Sequence, residues 1–154
     1  MPATDSNRTP MSCDFDIYQA GGNLLTENRR TVDRPGHSGS IFELASPDGI
    51  RLGYYNVRSS VPGEVVIRNI NPFIQLSYTL SGEKRYEVNE GKQKQVSFKF
   101  GKQEYNYVFF PQERIQMLWE PKERLEIFEL AVSPELMMKH LPEEHPFYEV
   151  LQKR

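Results

Sequence analysis

The sequence feature that most constrains the fold is the alternation of residues across positions 73–88. Up to residue 80, the two faces of a period-2 strand carry Ile74, Leu76, Tyr78 and Leu80 on one side and Phe73, Gln75, Ser77 and Thr79 on the other. Residues 83–88 repeat the alternation, with Tyr86 and Val88 on one face and Arg85 and Glu87 on the other. A Ser-Gly step between two such runs is typical of a β-hairpin. Because an isolated hairpin is only marginally stable in water, the sequence predicts a hairpin within a larger sheet or barrel.

Composition and charge favour a single globular domain. The chain has 154 residues, of which 38% are hydrophobic and 12% aromatic, and this is enough for one core. A formal net charge of -2 offers no electrostatic basis for binding DNA or an anionic membrane. The only cysteine, Cys13, excludes an intramolecular disulfide and indicates a cytoplasmic protein. No apolar run approaches the roughly 18 residues of a membrane span, so we expect no membrane partner.

Short strand-like runs follow one another from residue 41 onward. Besides the central segment, they cover residues 41–45, 50–58, 64–70, 96–100, 104–110, 115–119 and 125–132. Such runs, separated by turn residues and without a helical pattern between them, predict a mainly β domain over residues 41–132, an antiparallel sandwich or barrel. Residues 1–40 are rich in polar residues, Gly and Pro, and they predict a polar N-terminal arm.

The pattern changes to helical spacing after residue 132. Ser133, Pro134 and Glu135 suit the cap and the first turn of a helix. Apolar residues at helical spacing then predict two short amphipathic helices over residues 133–154, on either side of Pro142. Because the sequence stops inside the second helix without a closing Gly or Pro, we expect it to be part of a longer protein.

Groups suited to catalysis or metal binding do not converge in the sequence. His37 lies in the predicted arm, and His140 and His145 lie around the break between the helices, so no histidine is on a predicted strand. Glu126 and Glu129 are three residues apart in one strand and point to opposite faces, which argues against an acid/base pair. We therefore expect no catalytic residue, no metal and no cofactor.

Aromatic residues on the strands are the best candidates for ligand contact. Tyr and Trp give a barrel cavity apolar walls with polar tips that orient a ligand, and the candidates are Tyr78, Tyr86, Tyr107 and Trp119. The alternative is a filled core in which these rings only pack. The sequence does not decide between a hollow and a filled barrel.

Three segments carry a resemblance to a known family. PFIQLSYTLSGEKRYEV, YVFFPQERIQMLWE and RLEIFELAVSPELMMKHLPEEHPFYEVLQ together resemble the N-terminal regulatory domain of AraC-type transcription regulators, especially those of Bacteroidetes, over residues 41–154. The resemblance implies a cupin-like antiparallel β-barrel, of the double-stranded β-helix type, that senses a small-molecule effector. It also implies helices that form a homodimer interface and a C-terminal DNA-binding domain with two helix-turn-helix units. That domain would follow Arg154, so DNA contact would belong to the full-length protein.

Two functional hypotheses follow from these observations. The first is an effector-sensing and dimerisation domain of an AraC-type regulator rather than an enzyme, because the histidine and glutamate metal ligands of enzymatic cupins are lacking. Its dimer contact is predicted at Leu136, Met137, Phe147 and Leu151, with packing on the barrel as the alternative role of these residues. The second is a stand-alone cupin-like small-molecule-binding protein or a metal-independent sugar-modifying enzyme, which would have to rely on Glu, Tyr or Lys alone.

Overall fold

The structure, a computed structural model, describes residues 11–18, 25–90, 94–110, 114–121 and 124–152. The strands are β1 (Met11–Phe15), β2 (Thr26–Arg34), β3 (His37–Ser46), β4 (Ile50–Ser59), β5 (Gly63–Asn69), β6 (Phe73–Ser81), β7 (Lys84–Glu90), β8 (Lys94–Phe100), β9 (Tyr105–Phe110), β10 (Arg114–Trp119) and β11 (Leu125–Val132), and the helices are α1 (Pro134–His140) and α2 (Pro146–Gln152). Every strand-like run predicted from residue 41 onward is a strand, so the mainly β prediction is confirmed. No helix in these ranges is long and apolar enough to span a membrane.

The strands form two sheets whose order identifies the architecture. The five-stranded sheet has the order β1-β5-β10-β7-β8, and the six-stranded sheet has the order β2-β3-β4-β11-β6-β9. From β4 to β11, the chain changes sheet at every connection except the one between β7 and β8. Eight antiparallel strands wound in this way form a jelly roll, the architecture of cupins. The cupin-like fold is therefore confirmed by the strand order itself.

The hairpin predicted for residues 73–88 is wrong. β6 pairs with β9 and β11, whereas β7 pairs with β8 and β10, so the Ser-Gly step carries the chain from one sheet to the other. Gly82 supplies the turn with a φ of 81°, a region that disfavours residues with a Cβ. The Ser81 hydroxyl donates a 2.7 Å hydrogen bond to the carbonyl oxygen of Arg124, just before β11. A turn residue marks a reversal of direction but does not specify which strands pair.

The N-terminal arm predicted for residues 1–40 is also corrected where the structure describes it. β1 runs parallel to β5 at the edge of its sheet, and β2 pairs along its whole length with β3, which begins at His37. β2 is an edge strand and is mostly exposed on both faces, since residues 27–31 are all exposed. Its polar sequence therefore resembles that of an unstructured arm. Residues 1–10 and 19–24 of the predicted arm lie outside the described residues.

The core lies between the two sheets and is packed with aromatic rings. Tyr86 makes edge-on contacts with Phe100 and Phe110, at centroid distances of 5.5 and 5.0 Å. Phe73 contacts Phe110 at 5.1 Å in the same cluster. A second apolar cluster consists of Trp119, Leu125 and Ile127. Over these parts, the barrel is filled rather than hollow.

Both predicted C-terminal helices are confirmed. Ser133 caps α1, since its hydroxyl oxygen accepts a 3.2 Å hydrogen bond from the backbone N–H of Leu136, and Pro134 occupies the first turn. α1 follows directly from β11, so any movement of this strand reaches the helix without an intervening loop. The Tyr18 hydroxyl donates to the Glu135 carboxylate and ties the segment after β1 to α1.

Candidate ligand site at one end of the barrel

The inner face of β6 is polar, although it points into the barrel. Gln75, Ser77 and Thr79 are 5%, 3% and 0% exposed, whereas the apolar residues of the same strand, apart from Phe73 at its start, point outward. A buried polar side chain costs free energy unless it is hydrogen-bonded. These inward-facing polar side chains reverse the usual strand pattern. They therefore need hydrogen-bond partners in the part of the core beside β6.

A buried ion pair joins the two sheets next to this face. Lys84 on β7 has a side chain that is 0% exposed, and its ammonium bonds a carboxylate oxygen of Glu129 on β11. The Tyr86 hydroxyl donates to the same oxygen at 2.9 Å and accepts from Lys84 Nζ at 3.0 Å. Gln75 Nε2 lies 3.2 Å from the Tyr86 hydroxyl and 3.4 Å from the Glu129 carboxylate. We refer to Gln75, Lys84, Tyr86 and Glu129 as the buried polar cluster.

Burial shifts the proton affinities in this cluster. It lowers the pKa of Lys84, because the charged ammonium has left water, and the Glu129 carboxylate opposes this shift. Burial first, and the Glu129 charge second, raise the pKa of Tyr86 well above its usual value. Tyr86 is therefore a stable hydrogen-bond donor near neutral pH. Strong shifts caused by burial and a specific charged partner are typical of functional sites, although structural ion pairs also show them.

A second phenol, that of Tyr55, lies over the space that Gly53 leaves free next to Glu129. Gly53 is the cross-strand neighbour of Glu129, and a Cβ on Gly53 would lie 2.9 Å from the hydroxyl oxygen of Tyr55. The Tyr55 ring thus occupies the space that a side chain at position 53 would fill. Burial, followed by the charges of Glu129 and Glu43, raises the pKa of Tyr55 well above its usual value.

Several buried polar atoms beside the cluster have unused hydrogen-bonding capacity. Within the described residues, the hydroxyls of Ser77 and Thr79 and Nδ2 of Asn106 have no hydrogen-bond partner. Ser77 pairs across the sheet with Asn106 on one side and with Glu129 on the other, so these atoms adjoin the buried polar cluster. Each can bond a water molecule or a hydroxyl group of a ligand.

A cavity of about 290 Å³ opens at the end of the barrel where the chain crosses from β6 to β7. Its lining combines apolar walls with charges of both signs: Gly82, Glu83, Lys84, Arg85, Lys102, Leu118, Trp119, Glu120 and Leu125. Known ligand pockets measure roughly 300–1,000 Å³, so this cavity suits a molecule the size of a small sugar or acid. Lys84 lies in the wall of this cavity, but its side chain is 0% exposed and its ammonium faces Glu129, so the buried polar cluster lies directly behind the wall.

Trp119 is fixed in the wall of this cavity by its neighbours. Its indole N–H donates a 2.9 Å hydrogen bond to the hydroxyl oxygen of Ser59, which also lies 2.7 Å from Nδ1 of His37. The rings of His37 and Trp119 meet edge-on at 5.7 Å. Gly63 leaves room for the indole, since a Cβ there would lie 2.0 Å from the Trp119 ring. The indole is therefore positioned in advance of any ligand contact.

The residues considered for catalysis and metal binding are distributed as follows. Glu126 and Glu129 lie on opposite faces as predicted, with Glu126 bonded to the Tyr54 hydroxyl on the outer face. His37 is on a strand rather than in an arm, which corrects its predicted place. Among the described residues, no three His, Cys, Asp or Glu side chains are arranged to hold a metal ion. The expected absence of metal, cofactor and catalysis stays a prediction.

The four predicted ligand residues separate into two pairs. Tyr86 and Trp119 are 3% and 5% exposed and lie inside the barrel, at the cluster and the cavity. Tyr107 is 72% exposed, and Tyr78 stacks on the exposed ring of Tyr105 at 4.4 Å, so both belong to the outer face. The prediction that Tyr78 and Tyr107 line the barrel is wrong, because the alternation that buries Phe73 on β6 and Phe110 on β9 turns Tyr78 and Tyr107 to the outer face.

Sequence reasoning missed Lys84, Glu129 and Gln75 as members of a site. Strict alternation places Lys84 on the face of Tyr86 and Val88, and it places Glu129 on the face of Ile127 and Ala131. The presence of a lysine and a glutamate on two otherwise apolar strand faces could therefore have indicated a buried ion pair.

The predicted dimer residues lie on the two helices. Leu136 and Met137 are half-buried on α1, and Leu151 is buried on α2 with 7% exposure. The side chain of Phe147 lies outside the described part of the structure. Their role in a dimer stays a prediction.

Comparisons with known proteins identify no family. No protein-family profile matches the sequence, and no curated protein matches it either. Among solved structures, the chain is similar to the capsular polysaccharide assembling protein CapF of Staphylococcus aureus, with 13% identity, a TM-score of 0.46, and coverage of 73% of this chain and 29% of that one. It is also similar to oxalate decarboxylase of Bacillus subtilis, with 16% identity, a TM-score of 0.44, and coverage of 81% and 37%. The chain thus spans less than two fifths of the length of either protein.

Proposed function

We propose that this chain is a small-molecule-binding regulatory domain in which the ligand occupies the cavity beside Lys84. The observation that carries the proposal is the buried polar cluster directly adjoining a cavity of about 290 Å³. A buried ion pair contributes little to stability, because the desolvation of both charges offsets their attraction. Its position in a cavity wall is better explained by ligand recognition.

The lining indicates the class of ligand. Trp119, Leu118 and Leu125 provide an apolar wall, and the rim carries two carboxylates and several cations. Glu83 is paired with Lys99 at 3.2 Å and Arg85 with Glu87 at 3.1 Å, so much of this charge is balanced within the protein. A ligand with an apolar face and several hydroxyl or carboxyl groups, such as a small sugar or sugar acid, fits this surface best.

The ion pair also supports a mechanism of signalling. Lys84 is on the five-stranded sheet and Glu129 is on the six-stranded sheet, so a ligand that displaces Lys84 from Glu129 changes how the sheets are held together. β11 carries Glu129 and continues into α1 after Ser133. A ligand that favours one arrangement of β11 would shift the population of helix positions.

The more specific form of the proposal is an AraC-type regulator. In it, α1 and α2 lead to a C-terminal DNA-binding domain in the full-length protein, and the effector alters how that domain is placed. This form rests on the sequence resemblance and on the cytoplasmic location that the cysteine content indicates. Its test is a DNA mobility-shift assay on the full-length gene product with and without ligand.

Binding is tested by thermal shift and calorimetry with a panel of monosaccharides, sugar acids and short carboxylic acids. The variants are Lys84→Met and, as matched control, Lys139→Met, whose side chain is exposed on α1 and does not line the cavity. We expect a ligand at about 100 times its Kd to stabilise the wild type and the control by about 2.7 kcal/mol and Lys84→Met by much less. Equal stabilisation of both variants would place the ligand elsewhere, and no response to any compound would contradict the proposal.

One observation favours a metal-independent enzyme as the second candidate. The buried polar cluster brings together an amine, a phenol and a carboxylate, which are the groups on which such an enzyme would have to rely. Incubation of candidate sugars in heavy water, followed by NMR, would detect proton exchange at carbon. Exchange that is lost in both Lys84→Met and Glu129→Gln would support catalysis by this cluster.

A further inference from the structure

We propose that the outward face of the six-stranded sheet is a homodimer interface. This outer aromatic face consists of the outward-facing positions of β3, β4, β6, β9 and β11. Its largest side chains are Phe42, Tyr54, Tyr78, Tyr105, Tyr107 and Phe128. The strand register brings them side by side: Tyr105, Tyr78, Phe128, Tyr54 and Phe42 form one continuous row across five strands.

The neighbouring row on one side is also apolar, whereas the row on the other side contains Ser40, Asn56 and Glu126 and forms a polar border. The apolar neighbouring row joins Tyr107, Leu76, Leu130, Leu52 and Leu44. Soluble proteins normally give a solvent-facing sheet surface polar residues in alternation with the core residues. Here three of the four inward residues of β6 from Phe73 to Thr79 are polar and the outward residues are apolar, so the outer face has the composition of a covered surface.

The exposed area is sufficient for a stable dimer. Tyr105, Tyr107 and Phe128 are 77%, 72% and 42% exposed, and the other apolar side chains of the face are mostly half-buried. At about 200 Å² per large side chain, these three residues alone expose about 380 Å², and the half-buried side chains of the two apolar rows add to this area. The face thus reaches the roughly 300–600 Å² of the largest patch on a monomer, which is often functional, and it is comparable to the non-polar part, about 56–58%, of the about 800 Å² that each partner contributes to a standard interface.

Charge favours a second copy as the partner. At the border of the face, Arg29 pairs with Glu27 at 2.8 Å and lies over the Phe42 ring, whereas the Glu126 carboxylate accepts a hydrogen bond from the Tyr54 hydroxyl and keeps its charge. The two apolar rows themselves carry no charged residue, so two identical faces can meet through them, and they offer an oppositely charged partner no steering charge. A two-fold dimer needs a single patch that is complementary to itself, and an uncharged apolar sheet face meets this condition.

The edge strand β9 also favours association with a second copy. It lies at the end of the six-stranded sheet, and its sequence YNYVFF contains no charge and no proline. Natural edge strands usually carry lysine, proline or a bulge that prevents association with other chains. The two most exposed aromatic residues of the face, Tyr105 and Tyr107, are on this strand. The sequence of β9 thus carries neither the charge nor the proline that often protects an edge strand, at the place where a second copy would bind.

Sedimentation equilibrium over a range of protein concentrations tests the proposal. We expect the wild type to show twice the 18.0 kDa chain mass, and Tyr107→Arg and Tyr105→Arg each to raise the dimer Kd at least about tenfold. Both side chains are exposed, so these variants are expected to fold, and circular dichroism checks this. The matched control is Val61→Arg, an apolar residue with 38% exposure in the loop between β4 and β5, which should leave the Kd unchanged.

The alternatives are distinguished in the same experiment. Met137→Arg examines the helical interface predicted from the sequence. A wild type that is monomeric at all concentrations, a Kd that Tyr105→Arg and Tyr107→Arg leave unchanged, or dissociation caused only by Met137→Arg would each overturn the proposal. Since an apolar contact is not screened by ions, the Kd should not rise with salt, and marked weakening at high salt would also overturn it.

Discussion

Glu129→Gln is expected to destabilise the protein strongly, because it leaves a buried ammonium without its counter-charge. The Lys84 side chain is 0% exposed and that of Glu129 is 13% exposed, so water cannot take over the role of the carboxylate. Removal of one partner of a buried ion pair typically costs roughly 3–5 kcal/mol. The glutamine keeps the shape of the side chain and one hydrogen-bond acceptor, so the loss reflects charge rather than packing.

Lys84 can avoid this cost only by releasing its proton on folding. From a reference pKa of about 10.4, deprotonation at pH 7 costs about 4.6 kcal/mol, and this value is an upper bound on the loss. Burial already lowers the pKa of Lys84 in the wild type, and removal of the Glu129 charge lowers it further. Between the folded and the unfolded pKa, the unfolded state binds more protons, so stability rises with pH. The penalty for Glu129→Gln should therefore shrink by up to about 1.4 kcal/mol per pH unit in this window.

Urea unfolding followed by circular dichroism between about pH 7 and about pH 9 measures this effect. Lys84→Met should cost less than Glu129→Gln, because Glu129 retains Tyr86 and Gln75 as donors and is partly exposed. The double variant should lie within about 2 kcal/mol of the wild type, since two charges have been replaced by neutral groups. The reasoning fails if Glu129→Gln costs less than about 1 kcal/mol at pH 7, or if its cost does not fall as the pH rises.

Three further predictions concern the surroundings of the site. Gly63→Ala should cost about 1–3 kcal/mol and shift the emission of Trp119, the only tryptophan, because the new methyl group meets the indole ring; unchanged melting and emission would contradict this. Burial lowers the pKa of His37, so the unfolded state takes up a proton first and stability falls as the pH drops below about 6.5. His37→Gln should remove this part of the pH dependence, and a stability curve with the wild-type slope would argue against it. Ser133→Ala should cost about 1 kcal/mol in urea unfolding through loss of the α1 cap, and a neutral result would mean that the cap contributes nothing.

The fold could be predicted from local patterns except where pairing is decided at long range. Alternation located every strand from β3 to β11, and the Ser133-Pro134 sequence located α1, because these signals depend on neighbouring residues only. The β6–β7 connection was assigned to a hairpin because Ser81 and Gly82 favour a turn in either case. What makes it a crossing is the pairing of β7 with β10, about thirty residues away along the chain, and no local pattern encodes this.

The site could be predicted only in part, for a related reason. Tyr86 and Trp119 were found because aromatic residues on strands are conspicuous. Lys84 and Glu129 were not found, because a charged residue is expected at the surface. Its burial is possible only because a partner of opposite charge on the other sheet offsets the cost of desolvation, and the sequence does not show this partner. The inward orientation of Gln75 depends on the outer apolar face, whose large side chains occupy the opposite side of β6.

The place of β11 in the middle of its sheet has a consequence for how the protein is made. This strand lies between β4 and β6, and β10 lies between β5 and β7, so the centre of each sheet is supplied by strands near the end of the sequence. During synthesis on the ribosome, the edges of β4 and β6 that pair with β11 have no partner strand until residue 132 has emerged. We expect nascent chains stalled at residue 124 to remain protease-sensitive, and completed chains to fold slowly, as is usual for β proteins with distant contacts.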